Sequence, residues 1–109
     1  KRKDYQFDFN DSEQALQQMD SDLEQGAAMT IVKPALPYLD VLQNACRRSS
    51  KPVAVYHVSG EYAMAIHASE GGLLYLPDYF EEIHAAFHRC GAQYVIGYAA
   101  DFFLEFRNQ

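Results

Sequence analysis

The chain has no apolar run that approaches the roughly 18 residues needed to cross a bilayer. Its first residues, KRKDYQFDFNDSEQ, hold no apolar core of the kind a secretory signal carries. A membrane partner and an export route are therefore not expected, and the chain reads as soluble and intracellular. A long Lys/Arg run is missing too: nine basic residues stand against fifteen acidic ones, for a formal net charge of -6 and a pI near 5.0. That balance argues against the broad basic surface on which nucleic-acid binding depends. The two cysteines, Cys46 and Cys90, are far apart and form no CxxC. They are expected as buried thiols rather than as a disulfide or a metal centre. No glycine-rich phosphate loop is present either, which counts against chemistry on sugar phosphates.

Core material is plentiful. A chain of 109 residues that is 49% hydrophobic and 14% aromatic has enough for one compact domain. Its organising stretch is MTIVKPALPYLD, residues 29–40. Met29, Thr30, Ile31 and Val32 predict a short, fully buried strand. Pro34 and Pro37 cannot donate to a sheet ladder, so the strand must end immediately after Lys33.

Around this stretch the pattern alternates. Asp11 and Gln14 resemble a capping box, Leu16, Met19 and Leu23 share one helical face, and Gly26 supplies a left-handed stop. Tyr5, Phe7 and Phe9 before it suit one face of a short extended segment. Leu39, Leu42, Ala45 and Cys46 predict a second amphipathic helix, with Arg47 and Arg48 as surface charges suited to its carboxyl end. Val53, Ala54, Val55 and Tyr56 predict a second buried strand that runs into HVSGEY, with Ser59 and Gly60 in its exit loop. A helix over 61–69 is broken by EGGLLYLP. Pro77, Asp78, Phe80, Ile83 and Phe87 then mark a longer helix that Gly91 ends. A last strand over 94–96 leads into GYAADFFLEF, whose end predicts a closing helix.

Strands this short and apolar, alternating with helices, predict an α/β fold of parallel βα units. About three such strands leave two raw edges and one incompletely covered face. Either partner chains complete the sheet, or the chain belongs to a larger barrel. A closed (β/α)8 barrel typically takes about 250 residues, so this chain would supply its last three units.

Parallel strands end on one side of a sheet, and the loops there carry Lys33, Ser59 and Tyr98. A lysine amine sheltered from water can attack a ketone or aldehyde and form an imine. Hydroxyls from Ser59 and Tyr98 could hold a substrate carboxylate without a second buried charge. By position alone, a lysine snorkelling at a strand end is the commoner case, as are a turn serine and a half-buried tyrosine. His84 and His88 have a spacing that can ligate a metal from one helix face, but no third ligand is placed to help them. His57, beside Ser59, is the better of the histidines for a polar role in the site, although a structural histidine with satisfied hydrogen bonds is the commoner case.

The segments IVKPALPYLD, VYHVSGEYAM and DYQFDFNDSEQAL resemble the carboxyl-terminal third of the porphobilinogen synthase (delta-aminolevulinic acid dehydratase) family, and the likeness runs through essentially the whole chain. The resemblance implies a TIM (β/α)8 barrel of which residues 1–109 form a single partial domain. It implies condensation of two molecules of 5-aminolevulinate to porphobilinogen with loss of two waters, in tetrapyrrole biosynthesis. By the same resemblance Lys33, in VKP, is the imine-forming lysine, and Ser59 and Tyr98 hold the carboxylate of the substrate on it. Arg2 and Gln6 would bind the carboxylate of the other substrate, a task for which the planar fork of arginine is suited.

Departures from the family pattern matter as well. A second active-site lysine and, in many members, a cysteine cluster for zinc belong to a preceding part of the barrel that lies outside these 109 residues. Gln18 stands where magnesium-activated members carry a glutamate, and a neutral amide weakens such a site. DFND and GYAADFF also differ from common family patterns. No cofactor is expected within the segment, although a complete enzyme could use zinc or magnesium. The expected partners are 5-aminolevulinate and either a homo-oligomer, octameric in this family, or the missing amino-terminal part of the barrel. The expected location is the cytoplasm, with a plastid as the alternative, and the isolated chain is expected to be inactive. Two other readings are a non-catalytic barrel remnant acting as an assembly module, and a different imine-forming enzyme such as an aldolase.

Overall fold

The computed structural model describes residues 12–98. Within them the order is α1 (Ser12–Glu24), β1 (Thr30–Val32), a 3-10 turn (Leu36–Tyr38), α2 (Leu39–Arg48), β2 (Val53–His57), α3 (Ser59–Glu70), α4 (Leu76–Cys90) and β3 (Tyr94–Gly97). The strands form one parallel sheet in the order β1-β2-β3, with Val32 beside Val55 and His57 beside Gly97. The expected α/β alternation is therefore observed. The extended segment around Tyr5, the cap at Asp11 and the closing helix fall outside the described residues.

Side chains of a strand point alternately to its two faces. On β2, Val53 and Val55 join the core formed with Leu16 and Met19 of α1, Leu42 and Ala45 of α2, and Phe80, Ile83 and Phe87 of α4. Leu42, Phe80 and Phe87 are completely buried. Each such side chain contributes roughly 1.5–3 kcal/mol of transfer free energy, so this helix-covered face carries most of the stability. Gly26 (φ 101°) and Gly91 (φ 106°) end α1 and α4 in the left-handed conformation that the sequence called for.

The other face is different. By alternation it carries Ile31, Ala54, Tyr56, Tyr94 and Ile96, and its outer members are open: Ile31 is 49%, Tyr94 54% and Ile96 40% exposed. The expected burial thus fails for β1 and holds for β2 except at the half-buried Tyr56, while β3, whose burial the sequence left open, is largely exposed. Among the described residues β1 and β3 are the edge strands, each with a hydrogen-bonded neighbour on one side, and the open face reaches water at both.

Several local details differ from expectation. α3 begins at Ser59, not two residues later, because Val58 is extended (φ -72°, ψ 167°) and the Glu61 carboxylate accepts its N–H at 3.2 Å. Arg48 does more than face the helix dipole: it pairs with Asp20 at 2.8 Å and Glu13 at 3.3 Å, joining α2 to α1. Cys46 and Cys90 are free thiols, half-buried rather than buried. Burial, and then the neighbouring Cys90, push the Cys46 thiol above its ordinary range.

Candidate active site

Lys33 follows β1 by one residue, Ser59 follows β2 by two, and Tyr98 follows β3 by one. Because the strands are parallel and in register, all three residues stand at the carboxyl edge of the sheet. Lys33 continues the parity of Ile31, and Tyr98 that of Ile96. Both therefore belong to the open face, where Tyr56 stands between them on β2.

Tyr98 is anchored from two directions. Interaction with the Tyr98 hydroxyl, by hydrogen bonding first and then by charge, pushes the Tyr56 phenol above its ordinary value. The Tyr98 ring lies 5.7 Å from that of Tyr62, which in turn stacks on Phe80 at 5.7 Å. Ser59 occupies the first turn of α3 rather than the expected loop. The residue is exposed there, and the amino-terminal dipole of the helix favours an anion.

Lys33 is exposed, contrary to the expectation that it would be sheltered. It leaves an edge strand on the open face, where the apolar side chains of Ile31 and Tyr94 are themselves half in water. The backbone that carries it is nevertheless fixed. The N–H groups of Ala35 and Leu36, which follow it, donate to the two carboxylate oxygens of Glu61 at 2.9 and 2.7 Å.

His57 is not part of this edge. The odd positions of β2 face the helices, and there the imidazole is completely buried, with ring centroids of Phe80 and Phe87 at 6.4 and 6.2 Å. Among the described residues neither ring nitrogen has a hydrogen-bond partner. It is a structural histidine, but not a satisfied one. Desolvation holds its pKa below the usual value, Glu61 opposes that shift, and His84 adds to it.

Arg2 and Gln6 lie outside the described residues. Among the described residues, no group of three or more His, Cys, Asp or Glu side chains is placed to hold a metal ion. The Nδ1–H of His84 donates to the carbonyl of Phe80 at 2.8 Å, and the amide of Gln18 donates to Asp22 at 2.9 Å. The described donor set does not fit a metal centre.

Two residues of the edge were missed in the sequence. Tyr56 was read as the end of a buried strand, because its place between Lys33 and Tyr98 depends on the register between strands. Glu61 was read as the start of a helix, and its contacts lie 25 and 26 residues away along the chain.

The family profile described as "Delta-aminolevulinic acid dehydratase" matches residues 1–106. A delta-aminolevulinic acid dehydratase of Staphylococcus aureus is 39% identical over 100 residues, covering 92% of this chain and 31% of that protein. A chloroplastic delta-aminolevulinic acid dehydratase of Chlamydomonas reinhardtii is 41% identical over 97 residues, covering 89% of this chain and 25% of that protein. Among solved structures, delta-aminolevulinic acid dehydratase (porphobilinogen synthase) from Toxoplasma gondii ME49, in complex with the reaction product porphobilinogen, superposes with a TM-score of 0.90 at 40% identity. It covers 93% of this chain and 29% of that one. The chain thus spans a third or less of the length of these relatives.

Proposed function

The chain belongs to the delta-aminolevulinic acid dehydratase family, and from that premise we propose that it is the carboxyl-terminal third of a porphobilinogen synthase barrel, with Lys33 as its imine-forming residue. The observation that supports this best is the convergence of Lys33, Ser59 and Tyr98 on one edge of a parallel sheet. In this reading residues 1–109 are one partial (β/α)8 domain, and further strands close over the face of Ile31, Tyr94 and Ile96.

The neutral Nζ of Lys33 attacks the ketone carbon of 5-aminolevulinate, and the resulting carbinolamine loses water to give the imine. The hydroxyls of Ser59 and Tyr98, with the amino terminus of α3, hold the carboxylate of that molecule. Arg2 and Gln6 take the carboxylate of the second molecule. The carbon next to the ketone of the second molecule bonds to the imine carbon, and Lys33 leaves as the free amine. The amino group of the first molecule condenses with the ketone of the second with loss of the second water, and proton transfer within the ring then gives porphobilinogen.

The second active-site lysine and any zinc or magnesium are supplied from outside the described residues. The working protein is an assembly, either a homo-oligomer or a complex with the rest of the barrel, and the isolated chain does not turn over. No described helix is long and apolar enough to cross a membrane. A cytoplasmic location fits this reading, and the chloroplastic relative makes a plastid compatible with it.

The exposure of Lys33 favours a second reading, in which the segment is a non-catalytic assembly module. The two are separated by supplying the native assembly with 5-aminolevulinate and following porphobilinogen through its coloured adduct with p-dimethylaminobenzaldehyde. Turnover that falls by at least about 1,000-fold in Lys33→Met supports the enzyme. Absence of turnover in the wild type, or turnover indifferent to Lys33→Met, supports the module.

A further inference from the structure

The loop that follows Lys33 reads Pro34, Ala35, Leu36, Pro37. Proline has no backbone N–H, so Ala35 and Leu36 carry the only two amide donors of this stretch. Ala35 is completely buried, where an unpaired amide would be costly. Both donors go to one side chain. Glu61 Oε1 accepts from Ala35 at 2.9 Å and Oε2 accepts from Leu36 at 2.7 Å. The same Oε1 also accepts from the N–H of Val58 at 3.2 Å.

Those three amides belong to two different exit segments. Ala35 lies two residues past Lys33, and Val58 lies one residue before Ser59. A carboxylate that is only 5% exposed, on the third residue of α3, therefore joins the loop of the nucleophile to the head of the helix that carries the carboxylate-binding serine. A helix cap by itself would use one of these three bonds. The other two reach across 25 and 26 residues to the Lys33 loop.

We propose that Glu61 is a positioning residue that fixes the Lys33 loop against the head of α3, and so sets the spacing between the amine of Lys33 and the hydroxyl of Ser59. The proposal rests on the reading of Lys33 as the imine-forming residue. Glu61 does not touch substrate. It acts through the backbone on either side, and misplacement of a reacting group by about 1 Å can cost on the order of 100-fold in rate.

Glu61→Gln keeps the size of the side chain but turns an amide –NH2 toward a backbone N–H, so at least one of the three bonds is lost. Glu61→Asp keeps both acceptor oxygens on a shorter stem. In the native assembly, amide hydrogen exchange at Ala35, Leu36 and Val58 is compared with exchange at Phe87 in α4. In parallel, the rate at which borohydride traps 5-aminolevulinate on Lys33 is measured, along with KM and kcat. In Glu61→Gln, exchange at one or more of the three amides is expected to quicken by about tenfold while Phe87 is unchanged. The trapping rate and kcat are expected to fall between about 10-fold and 100-fold with KM within about threefold, and Glu61→Asp is expected to recover part of the rate.

Exchange that is unchanged in Glu61→Gln overturns the proposal, and so does faster exchange with an unchanged trapping rate. Should Glu61→Gln fail to fold, Glu61→Asp is judged on the same criteria. A wild type that traps nothing on Lys33 contradicts the imine reading instead, and the exchange comparison still decides whether Glu61 holds the two segments together.

Discussion

His57 shows what one side chain costs when its two ends disagree. It lies in an aromatic enclosure between Phe80 and Phe87 with both nitrogens unpaired, and an unsatisfied buried polar group costs about 1–3 kcal/mol. His57→Leu, of similar volume, is therefore expected to raise stability by about 1 kcal/mol in denaturant or thermal unfolding. The pH dependence follows from the lowered pKa of the folded state, which burial causes. Above about pH 6.5 the imidazole is neutral in both states and pH has no effect through it. Below that, the unfolded chain takes up a proton that the folded chain refuses, so stability is lost as the pH falls toward the lowered folded value. His84, also lowered by burial, acts in the same direction. The expected result is a melting temperature that drops between pH 7 and pH 5, with a shallower slope in His57→Leu. At this scale the sequence was informative where a residue acts through its neighbours in the chain, as with Lys33 between an apolar run and Pro34. It was silent on Glu61 and on the inward parity of His57, because distant backbone and sheet orientation decide those.

At the scale of elements, the apolar spacing of α2 and α4 and the glycines that end α1 and α4 could be read directly, because a helix repeats its pattern over several turns. Strand burial could not. A three-residue strand looks the same whether neighbours cover it or not, and β1 and β3 proved to be half-open edges while β2 between them is buried. The two helix-ending glycines also separate two physical effects. Both have positive φ, where an added Cβ is strained by roughly 1–2 kcal/mol. At Gly26 a Cβ would meet nothing within 4 Å, whereas at Gly91 it would lie 2.8 Å from Cys46 Cβ. Gly26→Ala is therefore expected to cost about 1 kcal/mol and Gly91→Ala about 2–4 kcal/mol, because the latter also forces α4 away from α2. Equal losses for the two in urea unfolding would show that backbone strain outweighs the contact.

The described residues, 12–98, form two layers, a sheet with helices on one of its faces. Among them, helices bury one side of the sheet at β2 but leave Val95 of β3 38% exposed there, while Ile31, Tyr94, Ile96 and Tyr98 stand exposed along the other. A contiguous apolar surface of this kind marks a site of association. The 109-residue chain on its own is expected to bind an apolar dye and to elute above its mass of 12.4 kDa. A dye-silent particle of that mass would mean that this face needs no cover. The need for cover was legible in the count of three parallel strands, although the exposure of Lys33 was not. The central claim is that the amine at the end of β1 is the nucleophile. It is tested most directly by reducing the native assembly with sodium borohydride in the presence of 5-aminolevulinate and mapping the adduct by peptide mass spectrometry. The account expects a reduced adduct on the peptide that carries Lys33, absent in Lys33→Met. An assembly that folds and binds 5-aminolevulinate but carries no adduct on Lys33, or carries it on Lys51 instead, would contradict it.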